Sequence, residues 1–376
     1  MGRVNYQEMR LSGEALPLIK SRIKKIKNRF SRNNNKKETG KILVICTCII
    51  GDFLSYLPAI RELIKKNHGK RVDMIVSPLL RSLAEKINGI GKIFVAKSAY
   101  NRSVEARSKQ RKQAVQGKYD SLVIMRISRE SYRMIKDIDF SDIMVPDLMF
   151  ARYLLHLAKN MLIKRPIKQS REFGFELIGL KKPLEQIDKD IDLKDIFIFT
   201  KKEREKIARM PELKTKDKIV LIHTGSGWRE KLWSNDKWIV LIKKVNQLGK
   251  FRFIFVGATQ QEEEAFREIK NRLDFKVYSV IGKNSLRELF LFMEKSDYLI
   301  GIDSGPRNLS HLADMRSVTI RGPGTYFKPL DKRDIVIDRL KGLSTNPFFP
   351  DKDARVDNIN VEEVLAAFKK IMKKGR

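Results

Sequence analysis

Cysteines and long apolar runs are scarce in this sequence, and both shortages exclude classes of protein. The only two cysteines, Cys46 and Cys48, are one residue apart within the apolar run ILVICTCII. Cysteines this close along a strand seldom form a disulfide, so we expect a reduced, cytoplasmic protein. No apolar stretch reaches the roughly 18 residues that a transmembrane helix needs. The first residues also lack the apolar core of a secretory signal, and we expect neither a membrane span nor export.

Acidic residues are also in short supply relative to basic ones. The 376 residues include 78 Lys and Arg against 45 Asp and Glu, a formal net charge of +33. Such a surplus indicates an acidic partner, which could be nucleic acid, an anionic membrane surface or a phosphorylated substrate. A hydrophobic content of 42% with 9% aromatics excludes a disordered chain. The length indicates two domains.

Residues 1–40 form a basic leader. Within PLIKSRIKKIKNRF, apolar residues recur at helical spacing, and residues 20–37 contain nine basic residues and no acidic one. This pattern is typical of a helix that lies on an anionic membrane surface. A solvated helix that packs on its own domain is an equal alternative, and nucleic-acid binding is a third.

A regular alternation of strands and helices begins after the leader. KILVICT, RVDMIVS, KIFVA and KYDSLVIM are predicted strands, and IIGDFLSYLPAIRELIKK and PLLRSLAEKI are predicted helices. Pro58 is expected only near the first turn of its helix. The alternation implies a parallel sheet covered on both faces, so residues 41–195 are predicted to form a Rossmann-like domain, although no GxGxxG fingerprint occurs.

The same alternation restarts after a charge-dense stretch at residues 181–217. KIVLIHT, FRFIFVG, KVYSVIG, DYLIGID and SVTIRG are predicted strands of a second Rossmann-like domain over residues 196–350, and a final helix lies within residues 351–376. The fold class is therefore α/β, with two facing Rossmann-like domains. Ligands of such sheets bind at the carboxyl ends of the strands, in the cleft between the domains.

Three loops at predicted strand ends carry polar residues. Asp52 follows the first strand and is either a helix N-cap or a group that meets a ligand. The segment HTGSGWREKLWS, residues 223–234, combines flexible backbone amides with a lysine, which suits a diphosphate. Residues 303–305, Asp-Ser-Gly, precede a helix whose first amides could face the cleft, where the acid could cap the helix or bind a sugar hydroxyl.

In this order, GDFLSYLPAIREL, HTGSGWREKLW, a glutamate-rich segment after FIFVGA, GIDSGP and GPGT resemble glycosyltransferase family 9 over about residues 41–345. This is the family of the bacterial heptosyltransferases that build the lipopolysaccharide inner core. The resemblance implies a GT-B fold, in which the first domain holds the acceptor and the second holds a nucleotide sugar. It also implies inversion at the anomeric carbon without a metal, and no Asp-x-Asp motif stands at a strand end.

Most site residues follow from the resemblance position by position, and Asp52 matches the catalytic base. Arg126 and Arg129 are candidate acceptor contacts because they are basic side chains in the acceptor-side domain. The candidate donor contacts are Ser226, Lys231, Glu262, Asp303, Ser304, Gly305, Asn308, His311, Gly322 and Thr325, with Glu263 as an alternative to Glu262.

Two positions depart from the family pattern. Asn308 replaces the usual histidine, and His311, one helical turn later, is expected to substitute for it or to leave the donor contact to the amide of Asn308. Cys46 stands where many relatives have a basic residue, and we expect it to be a buried structural cysteine.

The resemblance implies transfer of heptose from ADP-heptose to an acidic lipopolysaccharide or lipooligosaccharide core at the cytoplasmic face of the inner membrane. That acceptor would explain the positive charge without nucleic acid, and we expect no cofactor or metal. The alternatives are a relative that uses a UDP-sugar such as a hexosamine, a basic nucleic-acid-binding protein, and a catalytically idle scaffold.

Overall fold

A computed structural model describes residues 39–96, 118–125, 138–145, 167–169, 195–323, 333–339, 345–346, 349–350 and 355–373. Most of the leader, Arg126, Arg129 and Thr325 lie outside these residues, so their predicted roles stay predictions. None of the helices within the described ranges has the length and apolar character that crossing a bilayer requires.

Parallel strands form the first sheet, in the order β3-β2-β1-β4-β5-β6. The strands are β1 (Lys41–Cys46), β2 (Arg71–Val76), β3 (Ile90–Val95), β4 (Lys118–Ile124), β5 (Asp139–Val145) and β6 (Ile167–Gln169). β1 and β2 are buried almost end to end, because helices and loops cover both faces of a parallel sheet.

The second sheet has the order β12-β11-β10-β7-β8-β9. Its strands are β7 (Lys218–His223), β8 (Phe251–Phe255), β9 (Tyr278–Ser279), β10 (Tyr298–Ile302), β11 (Arg316–Ile320) and β12 (Asp334–Ile337). If the strands are numbered from 1 to 6 within each domain, the first sheet has the order 3-2-1-4-5-6 and the second has the same order listed from its other end. This is the order of a dinucleotide-binding Rossmann fold. The prediction of two Rossmann-like domains with parallel sheets is confirmed. A separate antiparallel pair joins β13 (Thr345–Asn346) to β14 (Phe349–Pro350).

Eight α-helices lie within the described residues. They are α1 (Ile50–Lys66), α2 (Arg81–Ala84), α3 (Lys201–Ala208), α4 (Asn235–Asn246), α5 (Gln260–Asn271), α6 (Leu286–Met293), α7 (Gly305–Leu312) and α8 (Val361–Lys373). The last helix, α8, packs against α4 and β11 and buries its apolar face in the second domain's core. The C-terminal segment is therefore part of that domain's packing.

Two local expectations were wrong. Pro58 is the ninth residue of the 17-residue helix α1, well past the first turn. The helix continues because its flanks Leu57 and Ile60 are fully buried, and their burial outweighs the backbone hydrogen bond that proline removes. The segment PLLRSLAEKI forms only a 3₁₀ turn, Pro78–Leu80, and the single turn α2.

Contacts between the two domains occur around Phe197 and between two helix starts, among the residues that the structure describes. Phe197, which pairs with Ile87 of the first domain, makes an edge-on contact with Phe290 of α6 at a centroid distance of 5.3 Å. Near the carboxyl ends of both sheets, α1 packs against the start of α7. A Cβ added to Gly305 would lie 2.9 Å from the Cβ of Ile50, so only glycine allows these helix starts to meet so closely.

Candidate active site

The candidate site lies where β7 and β10 run side by side in the second sheet. These are the first and fourth strands of that domain, and the order of the sheet reverses between them. Loops that leave two such strands diverge to opposite faces, which opens a crevice at their carboxyl ends. His223 ends β7, and Asp303 directly follows β10, so both lie at this crevice.

Lys231 and Asp303 form an ion pair at the crevice. The Lys231 Nζ lies 3.7 Å from Asp303 Oδ2 and donates to the Asp303 backbone carbonyl over 3.4 Å. The lysine side chain is 13% exposed, and this desolvation lowers the pKa of Lys231 although Asp303 opposes the shift. The sequence predicted both residues, and the structure brings them together.

Gly322 makes room for this lysine. A Cβ at Gly322 would lie 2.5 Å from Lys231 Cγ and 2.9 Å from Val356 Cγ2. Any larger residue would displace the Lys231 side chain from its position in the site. Gly322 was predicted as a donor contact, and its close approach to Lys231 gives it a part in shaping the site.

Ser226 stabilises the loop between β7 and the lysine. Its Oγ accepts a hydrogen bond from the backbone amide of Trp228 over 3.2 Å, which is a short side-chain-to-backbone turn. The Trp228 ring is 38% exposed and lies 5.5 Å from Lys231 Nζ. The ammonium group of Lys231 thus has the aromatic face of Trp228 and the carboxylate of Asp303 as neighbours.

Glu262 lies at the start of α5 and is only 6% exposed. Its Oε2 accepts hydrogen bonds from the amides of Ala258 and Thr259, at 2.8 Å each, and from the Thr259 hydroxyl at 2.7 Å. Glu263, the alternative on the same helix, lies 3.4 Å from Arg267 and accepts from a serine hydroxyl. Glu262 is therefore a structural anchor of this loop, and its predicted contact with a nucleoside stays a prediction.

The other carboxylate oxygen of Glu262 contacts His223. The Glu262 Oε1 lies 2.9 Å from His223 Nε2, and both side chains are more than nine-tenths buried. Desolvation alone would raise the pKa of Glu262, but the hydrogen bonds from His223, Ala258 and Thr259 outweigh it and lower the pKa to about 2. Sequence analysis did not single out His223, although its position at the end of a buried strand was a usable signal.

Ser304 completes a line of three side chains across the strand ends. Its Oγ lies 3.1 Å from His223 Nδ1, and it is the N-cap residue of α7 without making a side-chain capping bond. Serine at this position normally accepts from a helix amide two or three residues on. Here the hydroxyl turns to the histidine instead.

Behind Asp303, a buried charge cluster fills the space between α7 and β12. The guanidinium of Arg307, 1% exposed, donates to Asp334 at 2.7 and 3.0 Å and lies 3.4 Å from Asp303 Oδ1. Burial would raise the pKa of Asp334, but His311 and Arg307 lower it overall. Sequence analysis missed Arg307 and Asp334, because their pairing joins segments 27 residues apart.

The two residues that depart from the family pattern are both buried in α7. His311 Nε2 lies 3.2 Å from Asp334 Oδ2, so this histidine faces the domain interior. Asn308 is 2% exposed, and its Oδ1 has no hydrogen-bond partner within the described residues. The structure therefore gives His311 a structural contact, while the donor contacts predicted for both residues stay predictions.

Asp52 lies in the first turn of α1, two residues after Ile50. Ile49 is the N-cap of that helix, so Asp52 does not have the capping role that was one of its two predicted functions. Because Ile50 packs against Gly305, the turn that carries Asp52 borders the 303–305 segment of the other domain. Cys46, at the end of β1, is fully buried and reduced, in agreement with a structural cysteine.

No group of three or more potential metal-ligating His, Cys, Asp or Glu side chains occurs in the parts of the chain that the structure describes. Lys231 places a cationic side chain at the crevice. Chemically, the site combines a desolvated ammonium group, hydroxyl and amide donors, and one carboxylate on the opposite domain.

Comparison with known proteins gives a consistent result. Residues 152–343 match the sequence model of glycosyltransferase family 9 (heptosyltransferase). The chain is 27% identical over 191 residues to lipopolysaccharide heptosyltransferase 1 of Campylobacter coli, a match that covers 49% of this chain and 55% of that relative. The chain thus spans about half the length of this curated relative.

Two solved structures share the fold. A family 9 glycosyltransferase from Veillonella parvula superposes with a TM-score of 0.70 at 14% identity, over 91% of this chain and all of that one. An Escherichia coli heptosyltransferase with ADP-2-deoxy-2-fluoro heptose superposes with a TM-score of 0.63 at 16% identity, over 88% and 99% of the two chains. The fold is therefore that of the GT-B glycosyltransferases.

Proposed function

The chain is a member of glycosyltransferase family 9, and from that membership we propose that it transfers heptose from ADP-heptose to a lipopolysaccharide or lipooligosaccharide core. The proposal rests on the curated relatives named lipopolysaccharide heptosyltransferase 1 and on the chemistry of the crevice. We further propose that the transfer inverts the anomeric carbon and needs no metal.

One observation carries this proposal. The packing of Gly305 against Ile50 brings the turn with Asp52 next to the strand end that holds the Lys231–Asp303 pair. The helix turn that carries a carboxylate on one domain thus borders the segment of the other domain that holds the cation. An inverting transfer needs this arrangement, because the attacking oxygen of the acceptor and the departing diphosphate of the donor lie on opposite sides of the anomeric carbon.

In the proposed mechanism Asp52 accepts the proton of the acceptor hydroxyl as it attacks the anomeric carbon. Lys231 stabilises the negative charge that develops on the departing diphosphate. Its burial strengthens this effect, because a charge acts over a lower dielectric when water is excluded. Asp303 holds the ammonium group in place before the donor arrives.

An acidic acceptor accounts for the positive net charge of the chain in this proposal. A phosphorylated glycolipid core is acidic, and Arg126 and Arg129 are the basic side chains that we propose for it. The basic leader would hold the protein at the anionic cytoplasmic face of the inner membrane. Each attracted phosphate or lipid headgroup would add affinity that falls with salt.

The test is a transfer assay with purified protein, a truncated core acceptor and either ADP-heptose or a UDP-hexosamine. We expect a product that is heavier by one heptose in mass spectrometry, an inverted linkage by NMR, and the same rate with a chelator present. Consumption of the UDP-sugar alone would overturn the heptose assignment. Salt-sensitive binding of random DNA, with no thermal shift from either nucleotide sugar, would favour a nucleic-acid-binding protein instead.

A further inference from the structure

The line Ser304–His223–Glu262 joins the ends of three strands. Glu262 Oε2 belongs to the capping box that Glu262 forms with Thr259, but the contacts of His223 with Glu262 Oε1 and with Ser304 serve no helix cap. Ser304 is partly exposed at the crevice, whereas His223 and Glu262 behind it are buried. Gly225 and Gly257 leave the space that the carboxylate occupies, since a Cβ at either would lie 2.0 or 2.6 Å from Glu262 atoms. Two glycines thus make room for one buried acid.

We propose that His223 is a positioning residue that turns the Ser304 hydroxyl proton away from the crevice, so that Ser304 accepts a hydrogen bond from a hydroxyl of the donor sugar. The inference rests on the proposed function, because it takes the crevice to be the site of a nucleotide sugar. It assigns Ser304 to the sugar and excludes it from donating to the diphosphate.

Glu262 determines which nitrogen of His223 carries hydrogen. Its Oε2 accepts from two amides and one hydroxyl, so only Oε1 is left for the histidine. An ionised carboxylate can only accept hydrogen bonds. The hydrogen of the 2.9 Å contact must therefore lie on His223 Nε2.

The second step concerns the other ring nitrogen. The proposal takes His223 to be a neutral imidazole, in which only one nitrogen carries hydrogen, so His223 Nδ1 is an acceptor when Nε2 is protonated. The 3.1 Å contact then has Ser304 as its donor. A hydroxyl has one hydrogen and two lone pairs, and with the hydrogen committed to His223, Ser304 presents only lone pairs to the crevice.

The third step concerns the chemistry of the ligand. Phosphate oxygens only accept hydrogen bonds, so they gain nothing from a serine that also accepts. A sugar hydroxyl can donate to it. A site built to bind a hydroxyl discriminates against ligands that lack it, because its polar atom would be left unpaired.

The experiment compares binding of ADP and of ADP-heptose to the full-length protein by calorimetry. For Ser304→Ala we expect ADP-heptose binding to weaken about threefold to tenfold and ADP binding to stay the same. Ser310→Ala is the matched control, since this buried hydroxyl on α7 donates to the Arg307 carbonyl over 2.8 Å, away from the crevice. It should change neither affinity.

Glu262→Gln tests the positioning role, because it should reverse the line of hydrogen bonds. The three donors around Oε2 will hold the amide oxygen, so the amide nitrogen will face His223 and donate to Nε2. Nδ1 then carries the hydrogen, and Ser304 points its own hydrogen into the crevice. We expect ADP-heptose binding to weaken more than ADP binding does, as in Ser304→Ala.

Nitrogen-15 NMR of histidine-labelled protein reads the tautomer directly. The chain has four histidines, and His223→Gln assigns the signal. The wild type should show an unprotonated Nδ1 with ADP-heptose bound, and Glu262→Gln a protonated one, a change that a merely structural role for Glu262 would not produce. If Glu262→Gln fails to fold, the wild-type tautomer and Ser304→Ala still decide.

The proposal is overturned if Ser304→Ala weakens ADP and ADP-heptose equally, or if Nδ1 of the bound wild type is protonated. Failure of the proposed function gives a different result, namely no binding of ADP-heptose by the wild type. If the wild type binds a UDP-sugar instead, the same comparison with UDP and that sugar tests the role of Ser304 independently.

Discussion

The two sheets share one strand order but carry different chemistry at their carboxyl edges. The carboxyl edge of the second sheet and the helices beside it hold five buried charged or titratable side chains, which are His223, Glu262, Asp303, Arg307 and His311. Arg307 and His311 in turn contact buried Asp334 at the start of β12. The edge of the first sheet carries Cys46, Thr47 and Cys48, all buried and uncharged, and places Asp52 in the following helix.

This difference shows that a shared topology fixes where a site lies and leaves its electrostatics to the sequence. The second edge is a preorganised network suited to a charged leaving group. In the part of the first edge that follows β1, Asp52 supplies one carboxylate beside buried, uncharged side chains. If the proposed function is correct, the donor's charge is stabilised by many fixed groups, whereas the acceptor needs a single base.

Asp52 should give the largest effect on activity, because the first edge has no second acid at that turn. We expect Asp52→Asn to lower kcat about 10²- to 10⁴-fold while ADP-heptose binding stays unchanged. Glu62→Gln is the control on the same helix, since this acid pairs with Lys66 at 3.4 Å. A normal rate in Asp52→Asn would show that the first edge contributes no base.

Arg307 tests whether the second edge depends on its buried charges. Arg307→Met leaves the carboxylates of Asp303 and Asp334 buried without their shared cation, and we expect the free energy of unfolding to fall by about 3–5 kcal/mol. Chemical denaturation measures this change. The matched control is Arg204→Met, which breaks the more exposed pair with Glu294 and should lower stability by less than about 1 kcal/mol. Equal losses in the two variants would contradict the importance of burial.

Lys231 belongs to the buried charge network of the second edge and is also the cation that we propose for the leaving group. Lys231→Met should lower kcat about 10²- to 10³-fold, because it removes the buried cation that we place at the leaving group. Lys237→Met, which breaks a partly exposed pair with Asp357 at 3.3 Å, should leave the rate unchanged. A loss of stability without loss of rate in Lys231→Met would make the lysine structural.

Much of this fold was predictable from sequence because parallel strands buried on both faces appear as short, continuous apolar runs. The strands KILVICT and DYLIGID illustrate this, and both are confirmed. Helix content was less predictable. Pro58 stayed inside α1 and the second helix shrank to a single turn, because tertiary burial overrides local propensity.

The site was predictable only where its residues lie in one loop. Lys231 and the Asp-Ser-Gly segment came from recognisable motifs, and the structure brings them together. His223 and Arg307 were missed because their partners lie on other strands, and no local pattern shows which strand ends will be neighbours. The contact of Glu262 with His223 was missed for the same reason, whereas its capping box with Thr259 is a local T-x-x-E pattern.

Glu262 gives the smallest expected effect. Its substitution compares how a buried and an exposed carboxylate on the same helix contribute to stability as the pH changes. Its folded pKa of about 2 lies below the ordinary value of 4.5, so its stabilising contribution is complete above pH 4.5 and is lost as the pH falls toward 2. The difference in unfolding free energy between the wild type and Glu262→Gln should therefore shrink by about 2–3 kcal/mol from pH 5 to pH 2. Glu268→Gln, at an exposed position on the same helix, should show a pH-independent difference near zero. A constant difference for Glu262→Gln across this range would mean that the carboxylate is not held ionised by His223 and the loop amides, and the second edge would then be no more preorganised than the first.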